Sequence, residues 1–195
     1  MLFTIGHSNH TIMTFLDLLK KHGINCLCDV RSSPYSKYAD QYNRESLKYA
    51  MKENGIVYIF MGDCFGARPD DINLFSNGIV DFKKVIKNEK FIKGVSRVEE
   101  GLSKGYKIAF MCSEKDPIDC HRTIMVAKYF YDSGHQIQHI LSDGSLKNQE
   151  EVTNELVERY FPNRNQINLF QAIEEIDYIE EAYIKANLDI GYREE

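Results

Sequence analysis

Two carboxylates, Asp29 and Glu114, stand where an enzyme could use them for proton transfer. Asp29 closes one apolar segment of the chain, and Glu114 follows another such segment after one intervening serine. A pair of carboxyl groups in one crevice can act as general acid and general base. A separation of about 5 Å would suit covalent glycosyl-type transfer, and a wider one would suit hydrolysis by an activated water. In the alternative, Asp29 accepts hydrogen bonds from loop amides.

Arginines and small polar residues accompany these carboxylates. Arg31 and Arg122 follow or open predicted elements, and a guanidinium can direct two N–H donors at a phosphate or carboxylate. In the alternative, Arg31 forms a structural ion pair with Asp29 or Glu114. An aromatic side chain beside basic residues can also stack on a base. The residues predicted to bind an anionic ligand are Arg31, Arg122, Ser8, Ser32 and Tyr35.

Histidines and cysteines supply two further kinds of chemistry. His7 and His121 can move protons near neutral pH. Cys120 lies at a predicted helix start, where the helix dipole favours the thiolate. His7, Cys112, Cys120 and His121 could form a tetrahedral metal site from two loops, although the paired ligand spacing of a zinc ribbon is absent. In the alternative, both thiols are small buried groups that pack the loop.

Motifs that would have identified a reaction are absent from the sequence. There is no Gly-x-Gly-x-x-Gly after the first apolar segment, no Gly-x-x-x-x-Gly-Lys, no His-Glu-x-x-His and no Gly-x-Ser-x-Gly. Phosphatases and rhodaneses need an arginine six positions after the cysteine, and none follows Cys26, Cys64 or Cys112 at that distance. No nicotinamide or P-loop nucleotide cofactor is therefore predicted, and the cofactor stays unknown.

Five apolar segments that alternate with helical patterns are predicted as strands: 2–5, 24–30, 56–61, 107–112 and 135–141. Strands joined by helical crossovers favour an open, mostly parallel, doubly wound sheet with helices on both faces, a Rossmann- or flavodoxin-like three-layer α/β fold. The ligand crevice of such a fold lies at the carboxyl ends of the strands. His135 and His139 are predicted on one face of the last strand, at a polar edge.

The charge of the 195 residues is divided unevenly. Residues 1–148 carry 20 Lys and Arg against 17 Asp and Glu, whereas residues 149–195 carry 4 against 12. We therefore expect one α/β domain over 1–148 and an acidic helical extension over 149–195 that packs on it. Ile173, Ile176, Ile179 and Tyr183 fall near helical spacing in this extension. That helix could alternatively pair with its copy in a homodimer.

Several classes of protein are disfavoured by composition. No apolar run approaches the roughly 20 residues of a membrane-spanning helix, and the first residues lack the basic start of a signal peptide. Five cysteines without a Cys-x-x-Cys pair indicate reduced thiols. The strongly basic face of a duplex-DNA binder is not evident. The prediction is a cytoplasmic protein without a membrane partner.

Three segments carry a family resemblance. They are Thr4–Ser8, Asp29–Ser36, and Cys112–Glu114 followed by Cys120–Arg122. In this order they resemble the signature segments of the bacterial family called domain of unknown function 488, over roughly residues 2–143. The resemblance implies an α/β fold and no particular reaction.

Together these patterns favour an enzyme acting on an anionic nucleotide or nucleic-acid-like ligand, by hydrolysis or glycosyl-type transfer. The residues predicted to be catalytic are Glu114, Asp29, His7 and His121. Two alternatives stay open. One is a module that binds a nucleotide or nucleic acid without turnover, and the other is a metal-binding or thiol-redox protein that uses Cys112 and Cys120.

Overall fold

The computed structural model describes residues 1–164 and 176–194. Its strands are β1 (Leu2–Gly6), β2 (Cys26–Asp29), β3 (Val57–Phe60), β4 (Phe75–Ser76), β5 (Ile79–Val80), β6 (Ile108–Cys112), β7 (Ile137–Ile140) and β8 (Leu146–Asn148). Its helices are α1 (Ile12–Lys21), α2 (Arg44–Glu53), α3 (Gly62–Phe65), α4 (Phe82–Val85), α5 (Glu89–Ser103), α6 (Lys128–Asp132), α7 (Gln149–Tyr160) and α8 (Tyr178–Ile190). A π-helix over Arg122–Ala127 leads directly into α6.

Six strands form one sheet in the order β3-β2-β6-β1-β7-β8. All neighbours in it are parallel except β8, which runs antiparallel to β7 at one edge. The predicted α/β fold with a mostly parallel sheet is confirmed. The antiparallel edge strand and the separate β4-β5 hairpin were not predicted. Within the described residues, no helix is long and apolar enough to cross a bilayer.

Side chains of the central strands alternate between the two faces of the sheet, because a strand has a period of two. In β6, Ala109 and Met111 join the core under α1 and α2, whereas Phe110 and Cys112 join the core under α5, α6 and the π-helix. Helices therefore cover both faces, which gives three layers. Every residue of β6 is buried, as expected for a strand in the middle of such a sheet.

The order of the strands creates a switch point at β1 and β6. After β1 the chain passes β6 to reach β2, and after β6 it passes β1 in the opposite direction to reach β7. The connections that follow these two adjacent strands therefore leave the same edge of the sheet and run in opposite directions. Crevices that bind ligands in open α/β sheets lie at the carboxyl ends of strands where connections diverge in this way.

Local sequence explains where the helices begin. The side chain of Thr11 accepts a hydrogen bond from the Thr14 amide at the start of α1, and Lys20 and Lys21 occupy its last turn, where they favour the helix dipole. At the start of α7, the Asn148 side chain and the carboxylate of Glu151 cap each other's backbone amides. These caps satisfy amides that lack a partner within the helix.

The predicted polar edge at His139 is wrong, because this side chain is completely buried. Its Nε2 donates to Gln149 Oε1 at 3.0 Å, and its Nδ1 accepts from the Thr4 hydroxyl at 2.8 Å. The Gln149 amide donates in turn to the Tyr183 hydroxyl of α8. β7 pairs on both sides and α7 lies against it, so its histidine belongs to the core. His135 precedes the strand.

The C-terminal segment contacts the α/β layers through α7 and α8. Ala182 and Tyr183 of α8 are buried in the same core as the π-helix. In the predicted apolar face of this segment, Tyr183 is therefore buried, whereas Ile176 and Ile179 are exposed. Ile173 lies outside the described residues.

Candidate functional site

Three loops meet at the carboxyl ends of β1, β2 and β6. Gly6 pairs with Cys112 across the sheet, and Asp29 pairs with Met111. The pairing continues past the strands, since the amide of His7 donates to the Cys112 carbonyl. A Cβ on Gly6 would lie 1.8 Å from the carbonyl oxygen of Glu114, so only glycine allows these two loops to pack this closely.

A polar cavity of about 550 Å³ opens where these loops meet. Of the residues predicted to act on a ligand, five line it and four do not. Its lining residues are Arg31, Ser32, Ser33, Tyr35, Ala67, Arg68, Cys112, Ser113, Glu114, Asp119, Cys120, His121, Ile190 and Tyr192. The predicted site residues outside this lining are Asp29, His7, Ser8 and Arg122.

Asp29 lies behind the cavity and holds Arg31 in place. Its Oδ1 accepts from Arg31 Nε at 2.9 Å, and its Oδ2 accepts from the second guanidinium nitrogen at 2.6 Å. The hydroxyl of Tyr58 donates to the same Oδ2 at 2.8 Å. Asp29 is wholly buried, so the predicted mechanism with two carboxylates at one substrate has no support in this geometry. The alternative of a structural ion pair with Arg31 is what the structure contains.

His7 supports the same arginine from the other side. Its Nδ1 donates to the Ser8 carbonyl at 2.9 Å, which leaves Nε2 to accept from Arg31 at 3.4 Å. The ring stacks on Tyr42 with centroids 4.1 Å apart. Burial lowers the pKa of His7 to about 4, so the ring is neutral at pH 7 and serves as an acceptor behind the cavity.

Arg122 connects the π-helix to the loop after β6. Its guanidinium donates to the carbonyls of Glu114 at 2.8 Å and Lys115 at 3.3 Å. The side chain is only 1% exposed, and its Nε has no hydrogen-bond partner among the described residues. Arg122 thus fixes the loop that carries Glu114 and does not face the cavity.

Cys112, Cys120 and His121 converge on the cavity wall. The Nδ1 of His121 lies 3.7 Å from the sulfur of Cys112 and 4.0 Å from that of Cys120. Its Nε2 donates to the Val30 carbonyl at 3.0 Å, so the lone pair on Nδ1 points toward the two thiols. All three donor atoms lie within 4.8 Å of one another. His7, the fourth residue of the predicted metal set, is not part of this group.

The electrostatics of the two thiols differ. Burial raises the pKa of the Cys120 thiol, but its hydrogen bond with Cys112 and the charge of Arg122 outweigh burial and bring that pKa well below its ordinary value. The same hydrogen bond, together with burial, raises the pKa of Cys112. The pair therefore loses its first proton easily and its second with difficulty. Burial lowers the pKa of His121, but contact with Cys120 raises it overall.

Glu114 and Arg68 stand at the open part of the cavity. Burial raises the pKa of Glu114 above its ordinary value. The guanidinium of Arg68 lies 4.9 Å from the centre of the Tyr192 ring, and its backbone amide donates to the Ser32 hydroxyl. Neither Arg68 nor Tyr192 is among the site residues predicted from the sequence, although both line the cavity. No local motif marks Tyr192, because only the packing of α8 brings it to the cavity.

The chain is thus a three-layer α/β protein. It has a cysteine–histidine cluster in a polar crevice at the switch point of its sheet, and this crevice is a candidate active centre. Within that class, the chain belongs to the family described as Domain of unknown function DUF488, whose sequence profile matches residues 11–129. The predicted family is therefore confirmed. The matched range contains the segments around Asp29 and from Cys112 to Arg122. No curated protein and no solved structure matches the chain.

Proposed function

We propose that this protein is an enzyme that binds a small anionic ligand of the nucleotide class in the cavity, with Cys112, Cys120 and His121 as its reactive centre. The observation that carries the proposal is the convergence of these three donor groups on the wall of a polar cavity. Cys112 and Cys120 are buried in the core, but both also line this cavity, unlike thiols that serve packing alone. Three potential donors facing one crevice are the arrangement expected of a reactive site.

The charges around the cavity favour an anion. Asp119, one of its acids, is paired with Arg159 at 2.5 Å. Arg68 presents a guanidinium at the open side. Arg31 also lines the cavity, and its guanidinium is held rigidly by hydrogen bonds to Asp29 and His7. A fixed arginine binds phosphate or carboxylate without first losing side-chain freedom.

The size and walls of the cavity favour a nucleotide over a long nucleic acid. Its volume lies within the usual range of small-molecule sites, about 300–1,000 Å³. Tyr35 and Tyr192 add flat aromatic faces at its rim on which a base could stack. The chain as a whole carries a formal charge of −5, which disfavours the extended phosphate contacts of duplex binding.

Glu114 is proposed as the group that moves a proton. Its side chain lines the cavity beside the cysteine–histidine cluster, and partial burial raises its pKa above the ordinary value. A carboxyl group in such a position can serve as a general acid. Asp29 and His7, which were predicted from the sequence for the same task, are instead proposed as positioning residues that fix Arg31.

Thermal unfolding with a panel of nucleotides, sugar phosphates and short oligonucleotides tests ligand binding. A ligand at 100 times its dissociation constant stabilises the folded state by about 2.7 kcal/mol. For a chain of this length that corresponds to roughly 5–11 °C in melting temperature. Arg68→Ala should abolish the shift, whereas Arg97→Ala, whose side chain lines a different pocket, should retain it.

Turnover of the ligand identified in this way is then compared between wild type, Glu114→Gln and the control Glu155→Gln. Glu155 forms a surface ion pair with Lys147. We expect Glu114→Gln to reduce kcat by about 10²–10⁴-fold with affinity nearly unchanged. Binding without any turnover in the wild type would support the binding module instead. Equal activity of both variants would contradict the role of Glu114.

A further inference from the structure

We propose that Cys112, Cys120 and His121 bind one zinc ion, whose fourth coordination position faces the cavity and accepts an oxygen of an anionic ligand. The identity of the fourth ligand rests on the proposed function, whereas the three protein ligands do not. The sequence admitted a metal set that included His7. The structure excludes His7 from the cluster and leaves three ligands, which is the number typical of catalytic zinc.

The distances between the donor atoms fit a tetrahedral metal centre. Zinc binds thiolate sulfur at about 2.3 Å and imidazole nitrogen at about 2.0–2.1 Å. At tetrahedral angles these bonds place a sulfur and a nitrogen ligand about 3.6 Å apart. The observed distances from His121 Nδ1 to the two sulfurs are 3.7 and 4.0 Å. Both lie within a few tenths of an ångström of that value, and the two sulfurs lie within 4.8 Å of each other.

The orientation of His121 is that of a metal ligand. Histidines that bind metals usually donate the other ring N–H to a carboxylate or a backbone carbonyl, which fixes the ring and its tautomer. His121 does this through Nε2 and the Val30 carbonyl at 3.0 Å. In a simple catalytic dyad one thiol would face the imidazole, but here Nδ1 stands nearly equidistant from two.

The ligands are held by ordered elements. Cys112 is the last residue of β6, and Cys120 and His121 directly precede the π-helix. Arg122 ties the intervening loop by hydrogen bonds to two of its carbonyls. The chain contains a second pair of neighbouring buried thiols, Cys26 and Cys28 of β2, but no histidine joins them in a cluster of the described residues.

The charge of the surroundings favours an anionic fourth ligand. Two thiolates and Zn²⁺ cancel, so the three-ligand centre is neutral. The guanidinium of Arg68 lies at the same cavity. Its positive charge favours an anionic oxygen in the fourth position over a neutral ligand. Thiolate and imidazole ligands suit zinc among the divalent ions.

Metal analysis of the full-length chain, purified with a reductant and without chelator, tests the three ligands. We expect about one zinc per chain in the wild type. Cys112→Ser, Cys120→Ser and His121→Gln should each retain less than about a tenth of it. Cys64→Ser and His135→Asn are matched controls outside the cluster, and both should bind zinc as the wild type does.

Replacement of the bound ion by Co²⁺ keeps the test decisive where a variant fails to fold. We expect tetrahedral d–d bands and a thiolate-to-cobalt charge-transfer band in the wild-type chain. The wild type could instead purify without metal and bind neither Zn²⁺ nor Co²⁺ when these are added. If Cys112 and Cys120 of that protein then form a disulfide on mild oxidation, the proposal would be overturned in favour of thiol redox chemistry. Equal zinc content in wild type and cluster variants would overturn it as well.

The Co²⁺-substituted chain also separates the metal from the proposed function. Addition of inorganic phosphate or a nucleoside monophosphate should change the d–d bands if the fourth position takes an anionic oxygen. The chain could bind one metal ion while no anion changes its Co²⁺ spectrum and no anion raises its melting temperature. That result would refute both the proposed anion-binding function and the anionic fourth ligand. An anion that binds at the cavity of a chain without metal would refute the metal site alone.

Discussion

Replacement of Asp29 by asparagine should destabilise the protein strongly, because the side chain of Arg31 would keep its charge in a buried position. Asp29 is wholly buried and Arg31 is 6% exposed. The carboxylate accepts from Arg31 Nε at 2.9 Å, from its second guanidinium nitrogen at 2.6 Å and from its amide at 3.2 Å. Removal of one partner of a buried ion pair costs about 3–5 kcal/mol.

Urea unfolding of the wild type and Asp29→Asn at pH 7 measures this loss directly. A decrease of about 3–5 kcal/mol corresponds to a fall of roughly 6–20 °C in melting temperature for a chain of this length. Because Asp29 also orients Arg31 at the cavity, the variant should lose most of its stabilisation by an anionic ligand even where it remains folded.

Two further variants separate the charge from the shape. Tyr58→Phe removes one hydrogen bond to the same carboxylate and should cost about 1.5–3 kcal/mol. Asp29→Asn combined with Arg31→Met removes both charges and should be less destabilised than the sum of the single variants by about 0.5–3 kcal/mol. A loss below about 1 kcal/mol in Asp29→Asn, or strict additivity in the double variant, would refute the buried pair as described.

Two other expectations follow from the same region and from the core beside it. Burial lowers the pKa of His7 to about 4 and that of His139 to about 3, so the unfolded chain binds more protons than the folded one below pH 6.5. Stability should therefore fall by about 1 kcal/mol for each histidine between pH 7 and 5.5, and unfolding curves that coincide at these two pH values would contradict it. Gly6→Ala places a Cβ against the Glu114 carbonyl and should separate the two loops. The free energy of unfolding should fall by about 1–3 kcal/mol, and stabilisation by a ligand should be lost. In the control Gly55→Ala no atom lies within 4 Å of the new Cβ, so its cost should come from the positive φ of that residue alone.

The fold was predictable where local pattern decides it. Alternation of apolar strands with helical periodicity indicated five parallel strands, and each appears in the sheet. The order of the strands was not predictable, since it depends on contacts distant in sequence. Strand β8 has three residues and the β4-β5 hairpin has two residues a side, which is too short for a period of two to be recognised.

The meeting of these polar loops in one crevice was predictable because the carboxyl ends of parallel strands share one edge. The roles of single residues were not. Whether Arg31 faces a ligand or Asp29 depends on rotamers that spacing does not determine, and Arg122 reaches two carbonyls of its own loop. The prediction for His139 was wrong because alternation along a strand indicates one buried face, whereas both faces of β7 are covered.

The central claim is that the cavity lined by the cysteine–histidine cluster is the site at which an anionic ligand binds. Its most direct test is a crystal structure of the protein with the anion that gives the largest thermal shift. We expect that anion between Arg31 and Arg68, with one oxygen toward the atoms of Cys112, Cys120 and His121. An anion bound elsewhere, with only solvent in the cavity, would contradict the account.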